Sequence, residues 1–170
     1  MLTGYCKLLF TCLPLMASPA FGDFLPPNDL HLEDNLLRDA NVTEEDFNNV
    51  IDQVEAIYAP IIKEVHGGKL KIARLWTNNT VNASAMQFFG TWSVNMYGGL
   101  ARRPEVTLDA FTLVLCHELG HHVAGYPFAS AWASNEGQSD YFATQSCGKV
   151  LWGSQRSKNA EARALIPALP

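Results

Sequence analysis

Cys116-His117-Glu118-Leu119-Gly120-His121-His122 is the stretch on which the reading of this chain turns. Val114, Leu115, Leu119 and Val123 give it apolar surroundings, and Gly125 and Pro127 follow as helix stop signals. Thr107 opens the same helix, with Asp109 in its first turn. On a helix, positions i and i+4 share a face, so His117 and His121 can offer two imidazoles to one metal ion. Glu118 projects about 100° further round, within reach of a water bound to that ion. Neutral imidazoles suit Zn²⁺, which lowers the pKa of its bound water to about 7. The carboxylate is then placed to take that water's proton as it attacks a carbonyl. The set is that of a zinc hydrolase; a core helix with two incidentally spaced histidines is the plainer alternative. His122 points about 100° away from His121 and is read as non-ligating. Gly120 permits close backbone approach to this helix.

A second motif follows, Asn135-Glu136-Gly137-Gln138-Ser139-Asp140. Ser134 is an expected N-cap, and Tyr141, Phe142, Ala143 and Cys147 extend a helical pattern. Glu136 and Asp140 are again i and i+4, so both carboxylates share a face. Two histidines leave a zinc ion short of a third protein ligand, and Glu136 supplies it while keeping one position open. Asp140 is suited to bond the outer nitrogen of a ligand histidine and fix its tautomer. The plain alternative is a capped helix carrying two solvated acids.

His-Glu-x-x-His followed by Asn-Glu-x-x-Ser-Asp resembles the gluzincin clan of metallopeptidases, with thermolysin-like motifs on a minimal domain. The resemblance implies zinc ligands His117, His121 and Glu136, with Glu118 as general base. It also implies supporting roles for Asp140, toward His117, and for Asn135, toward His121. Val81 to Leu100 is similar to the strand region that precedes the active-site helix in small gluzincins. The likeness spans roughly residues 70–147, and only the two short motifs are specific. Two features depart from thermolysin: the stretch from His121 to Glu136 is shorter, and no histidine follows His122. The histidine that stabilises the transition state in thermolysin therefore has no counterpart. Tyr126, Tyr141, Arg156 and Arg163 stand as substitutes among which the spacing does not choose.

The 170 residues, 48% apolar and 17% charged, suit one globular domain. A net charge of −5 without a basic cluster argues against nucleic acid as a partner. Residues 1–22 read as a secretory signal peptide: Lys7, then an apolar run from Leu8 to Ala17, then Ser18-Pro19-Ala20. The run is short for a spanning helix and carries Pro14, so no stable membrane insertion is expected after leader removal. A secreted or periplasmic location follows, with residues 23–170 as a single domain. Loss of the leader leaves Cys116 and Cys147, a disulfide candidate in an exported protein. Two buried free thiols, or a cysteine ligand, are the alternatives.

Upstream, Thr43 caps an expected helix with an apolar stripe of Phe47, Val50, Ile51, Val54, Ile57 and Tyr58. Pro60 is expected to kink or restart it, and Gly67-Gly68 to end it. Strands are expected over 69–76, 82–89 and 91–97. Phe88, Phe89, Trp92 and Tyr97 read as core, or alternatively as the lining of a substrate groove. The expected fold class is α+β: a small zincin-like domain with a short, mainly antiparallel sheet packed on an active-site helix and a glutamate-bearing helix. The expected activity is hydrolysis of a peptide or protein substrate. A zinc-binding but catalytically idle assembly module of the same fold is the rival reading.

Overall fold

A computed structural model describes residues 30–32 and 40–165. The expected leader, residues 1–22, and most of the segment after it lie outside the described residues. The first long element, α1 (Glu44–His66), starts at a capping box. The Thr43 hydroxyl accepts from the Asp46 backbone N–H at 3.1 Å, and the Asp46 carboxylate accepts from the Thr43 N–H at 3.2 Å. Three acids in its first turn and Lys63 and His66 in its last complement the helix dipole. Phe47, Val50, Ile51, Val54, Tyr58 and Ile62 are buried along one face, close to the expected stripe. The helix runs through Pro60 without a restart. Pro60 and Ala56 both face solvent, so water can satisfy the carbonyl that the proline leaves without a donor.

The three strands appear as expected: β1 (Lys69–Leu75), β2 (Ala83–Phe88) and β3 (Thr91–Tyr97). Their order is β1-β3-β2, which corrects the expected direction of pairing. The β2–β3 pair is antiparallel, but β1 and β3 are parallel, so the sheet is mixed rather than mainly antiparallel. β1 and β2 do run in opposite directions, as neighbours joined by a short link should; β3 slots between them. Trp92, Val94 and Met96 alternate into the core from this central strand. Leu70, Ile72 and Arg74 share that face. Arg74 closes it against α1, donating to Asp52 and Glu55 at 2.6 Å each.

A short turn of helix, α2 (Gly98–Ala101), leads to α3 (Leu108–Val123), capped by Thr107 as predicted. Phe111, Leu115 and Leu119 are wholly buried, and Phe47 meets Phe111 with ring centroids 5.1 Å apart. One helical run then passes through α4 (Glu136–Phe142), a π-helical turn (Ala143–Cys147) and α5 (Gly148–Trp152). The exposed α6 (Arg156–Ala164) closes the described chain. The mixed helix and sheet content makes the fold α+β. Cys116 of α3 and Cys147 of the π turn form a disulfide, with their Cα atoms 5.9 Å apart.

Candidate metal centre

The centre is built where α3 and α4 touch, and Gly120 sets how closely they do so. A Cβ on Gly120 would lie 2.9 Å from the Cα of Ser139, so only glycine lets the two backbones approach this far. That contact carries Glu136 over the outer face of α3, where His117 and His121 stand one turn apart. The two imidazoles are 4.8 Å apart, centroid to centroid, and nearly perpendicular.

Each ligand histidine has its outer nitrogen engaged. His117 Nδ1 lies 2.8 Å from Asp140 Oδ1, and His121 Nδ1 lies 2.8 Å from the Ser134 carbonyl oxygen. A carboxylate and a carbonyl only accept, so both rings donate from Nδ1, which leaves Nε2 as the nitrogen each would offer to a metal. Ser139 Oγ, 3.1 Å from His121 Nδ1, adds a second polar neighbour. Both Nε2 atoms turn toward Glu136, at 3.0 Å from Oε2 for His117 and 3.8 Å from Oε1 for His121. The three ligand atoms all lie within 4.8 Å of one another. A tetrahedral ion with bonds of about 2.0–2.1 Å spaces its ligands roughly 3.3 Å apart. The observed separations bracket that value, so His117, His121 and Glu136 fit a metal ion.

Asp140 thus lies where it was expected, toward His117. Asn135 was expected toward His121. Its side chain instead caps α4, with Oδ1 accepting from the Gln138 backbone N–H at 2.9 Å. The cap is Asn135 and not Ser134, because the Ser134 carbonyl is committed to His121 and its own N–H donates to the His121 carbonyl at 2.9 Å. No sequence signal marks a backbone carbonyl as the partner of a ligand. Ser139 did stand inside the quoted motif, though without an assigned role.

Glu118 sits between the cluster and a cavity of about 580 Å³ that Leu113, Val114, His117, Asp140, Ala143 and Thr144 also line. Burial raises its carboxyl pKa above the ordinary range; His121 and His117 pull it down, and Glu136 pushes it up again. Of the four substitutes for a transition-state donor, Arg156 and Arg163 ride on α6, which starts at the other end of α3. Gln155 and Lys158 share a cavity with Leu108 and Asp109, about 13 Å of helical rise from His117. Tyr141, on the turn after Asp140, and Tyr126, just past α3, remain.

His122 is buried, as a residue that does not join the cluster. Its ring stacks between Trp92 and Trp132, at 5.3 and 5.1 Å, and its Nε2 donates to the Ser93 carbonyl at 3.1 Å. Trp132 belongs to the loop that ends at Ser134, so this stack presses the loop onto the sheet. Gln138 ties it from the other side, donating to the Ala124 carbonyl at 2.8 Å. Trp92 is therefore core, while Phe88 and Phe89 are neither core nor part of the cavity lining, standing exposed at the hairpin. Compared with known proteins, the chain matches no family model, no curated protein and no solved structure.

Proposed function

We propose that the chain is an exported zinc-dependent peptidase with a zincin-like, gluzincin-type centre. The observation that carries this reading is how the two rings are held. Asp140 and the Ser134 carbonyl engage Nδ1 of each histidine, and both Nε2 atoms turn toward Glu136. Zinc is the favoured ion because two neutral imidazoles and a carboxylate, with one position left open, suit its catalytic sites. Bound there, it would supply Lewis acidity and a water that ionises near neutral pH.

Glu118 is not one of the ligands, and its half-buried carboxylate faces the cavity beside them. Its role is to accept a proton during attack on the scissile carbonyl and to return it to the leaving amine. The raised carboxyl pKa suits a group that must do both. A peptide would lie extended along β2, the edge strand on the α3 side of the sheet. Among the described residues no strand pairs with the outer edge of β2. The apolar walls Leu113, Val114 and Ala143 suit an aliphatic or aromatic substrate side chain next to the cleaved bond.

The decisive experiment is Glu118→Gln, which keeps shape but cannot take a proton at neutral pH. Zinc content and melting temperature should stay as in the wild type. Hydrolysis of a denatured casein-like substrate should fall by about 10²–10⁴-fold. The rival reading, a zinc-loaded but idle binding module, draws on the absence of a histidine after His122. Equal inertness of wild type and variant on many unfolded substrates, with zinc bound in both, would establish that rival.

A further inference from the structure

The β2–β3 hairpin ends in a two-residue turn, Phe89-Gly90, with both residues in the left-handed region at φ 43° and 76°. Such turns favour Asn-Gly or Asp-Gly, because a bulky side chain at positive φ is strained. Here the first position is phenylalanine, and its side chain makes no compensating burial: Phe89 is 92% exposed. Among the described residues its ring meets Phe88, at 4.2 Å, itself 69% exposed. The positive φ at Phe89 costs the folded chain stability through its backbone, and no burial of the side chain offsets it.

The register places more beside it. Directly paired residues point to the same face of a sheet. One row across the outer face is therefore Lys69, Thr91 and Phe88, and the next is Lys71, Ser93 and Met86. Both lysines, Met86 and Phe88 are exposed. Lys69 stands beside the turn itself, its N–H donating to the Gly90 carbonyl at 2.9 Å. From Gly67 to Pro104 the sequence holds five Lys or Arg and no Asp or Glu, in a chain of net charge −5. Arg74, Arg102 and Arg103 of that set are engaged internally, with Arg102 buried against the Trp76 carbonyl and Asn79. Lys69 and Lys71 are the two left facing outward.

We propose that this hairpin tip and the lysine-bearing face beside it dock onto an anionic lipid surface. Two exposed aromatics at the tip and two outward-facing lysines beside it match the chemistry of an anionic bilayer boundary, apolar groups inside and cations at the headgroups. A bilayer needs only that apolar side chains enter the headgroup boundary, about 5–10 Å deep, while cations meet lipid phosphates. The contact is peripheral: no described helix is long and apolar enough to cross a membrane. It draws on no residue of the metal centre.

Phe89→Asn tests it cleanly, because asparagine relaxes the turn while removing the aromatic. The processed chain, as an exporting host releases it, is floated with phosphatidylcholine vesicles and with vesicles of about equal phosphatidylcholine and phosphatidylglycerol. Wild type should float with the anionic vesicles only. Phe89→Asn should bind them roughly tenfold more weakly, with a melting temperature unchanged or raised. The pair Lys69→Gln and Lys71→Gln should lose roughly fivefold per lysine, and added salt should mimic that loss. Wild type that floats with neither vesicle, or a Phe89→Asn variant that binds as well as wild type, overturns the proposal. So does a dimer that Phe89→Asn dissolves, since the tip would then belong to a second copy of this chain.

Discussion

Between His121 and His122 the backbone of α3 rises only about 1.5 Å, yet one imidazole faces the Glu136 carboxylate and the other is wedged between two indoles. What separates them is which nitrogen the protein occupies. His121 gives its Nδ1–H to the Ser134 carbonyl and turns Nε2 outward; His122 gives its Nε2–H to the Ser93 carbonyl and leaves Nδ1 buried without a partner. The first arrangement presents a lone pair to a metal, and the second hides one at some cost in desolvation. Both rings still act on the same loop. His121 holds its end at Ser134, and His122 holds its middle at Trp132. The His117–His121–Glu136 cluster and the aromatic stack are thus two sides of one device that places Glu136.

Substitution at the two positions should divide accordingly. His121→Ala should lower zinc affinity by more than about 100-fold, because it removes a ligand outright, whereas Asp140→Ala, which frees the His117 ring, should cost about 10–100-fold. His122→Phe should leave zinc stoichiometry intact, since phenylalanine preserves the stack. Elemental analysis and competition with a chromophoric chelator read all three. Loss of zinc in His122→Phe with retention in His121→Ala would invert the comparison.

The next effect tests what holds α3 to the helix that carries the third ligand. Reduction of Cys116–Cys147 should cost about 2–4 kcal/mol, read as a lower melting temperature or denaturant midpoint. The bond spans 31 positions of sequence and joins α3 to the π turn, so its loss falls on the stretch between the two motifs. An unchanged midpoint after complete reduction would mean that packing alone fixes the ligand geometry.

Much of this was legible because it rests on short-range geometry. Helical periodicity brings His117 to His121 and Glu136 to Asp140, and cap chemistry places Thr43, Thr107 and Gly67 at helix ends. The α+β class followed from separate helical and alternating stretches. What escaped depends on partners distant in sequence. The parallel pairing of β1 with β3 arises from insertion of β3 between two strands, which alternation in a single strand does not encode. The Ser134 carbonyl is backbone and has no sequence mark. Asn135 was assigned toward His121 from resemblance, and its Oδ1 is found capping its own helix. Trp92 and Trp132 come from a strand and a loop, so their meeting across His122 has no local signature.

A smaller effect should come from Gly120. Gly120→Ala forces its new methyl against the Ser139 backbone and should cost about 1–3 kcal/mol, with weaker zinc binding because α4 must shift. Gly137→Ala is the control: its Cβ would meet only the Asn135 side chain, at 3.9 Å, so stability should hold or rise. Alanine favours helix over glycine at both positions, so a Gly120→Ala variant as stable as Gly137→Ala would show that the α3–α4 contact tolerates the methyl.

The effect that is smallest near neutral pH is a pH dependence at His122. Burial pushes its pKa down from 6.5 to about 4; the Ser93 hydrogen bond opposes that shift and the neighbouring His121 adds to it. The unfolded chain therefore takes up a proton at this residue near pH 6.5, while the folded chain does not until about pH 4. Stability rises with pH wherever the unfolded state binds more protons, so this contribution is complete above that window, declines as pH falls through it, and is gone below it. Between about pH 7.5 and 5.5 the loss should be about 1 kcal/mol, growing to about 3 kcal/mol near the lower limit. Denaturant midpoints of wild type and His122→Phe, both with chelator present so that no metal is titrated off, isolate the residue. Their difference should slope across that range, because phenylalanine keeps the stack between Trp92 and Trp132 but binds no proton. A flat difference would mean that His122 takes up its proton without leaving the stack, and the contrast with His121 would then rest on geometry alone.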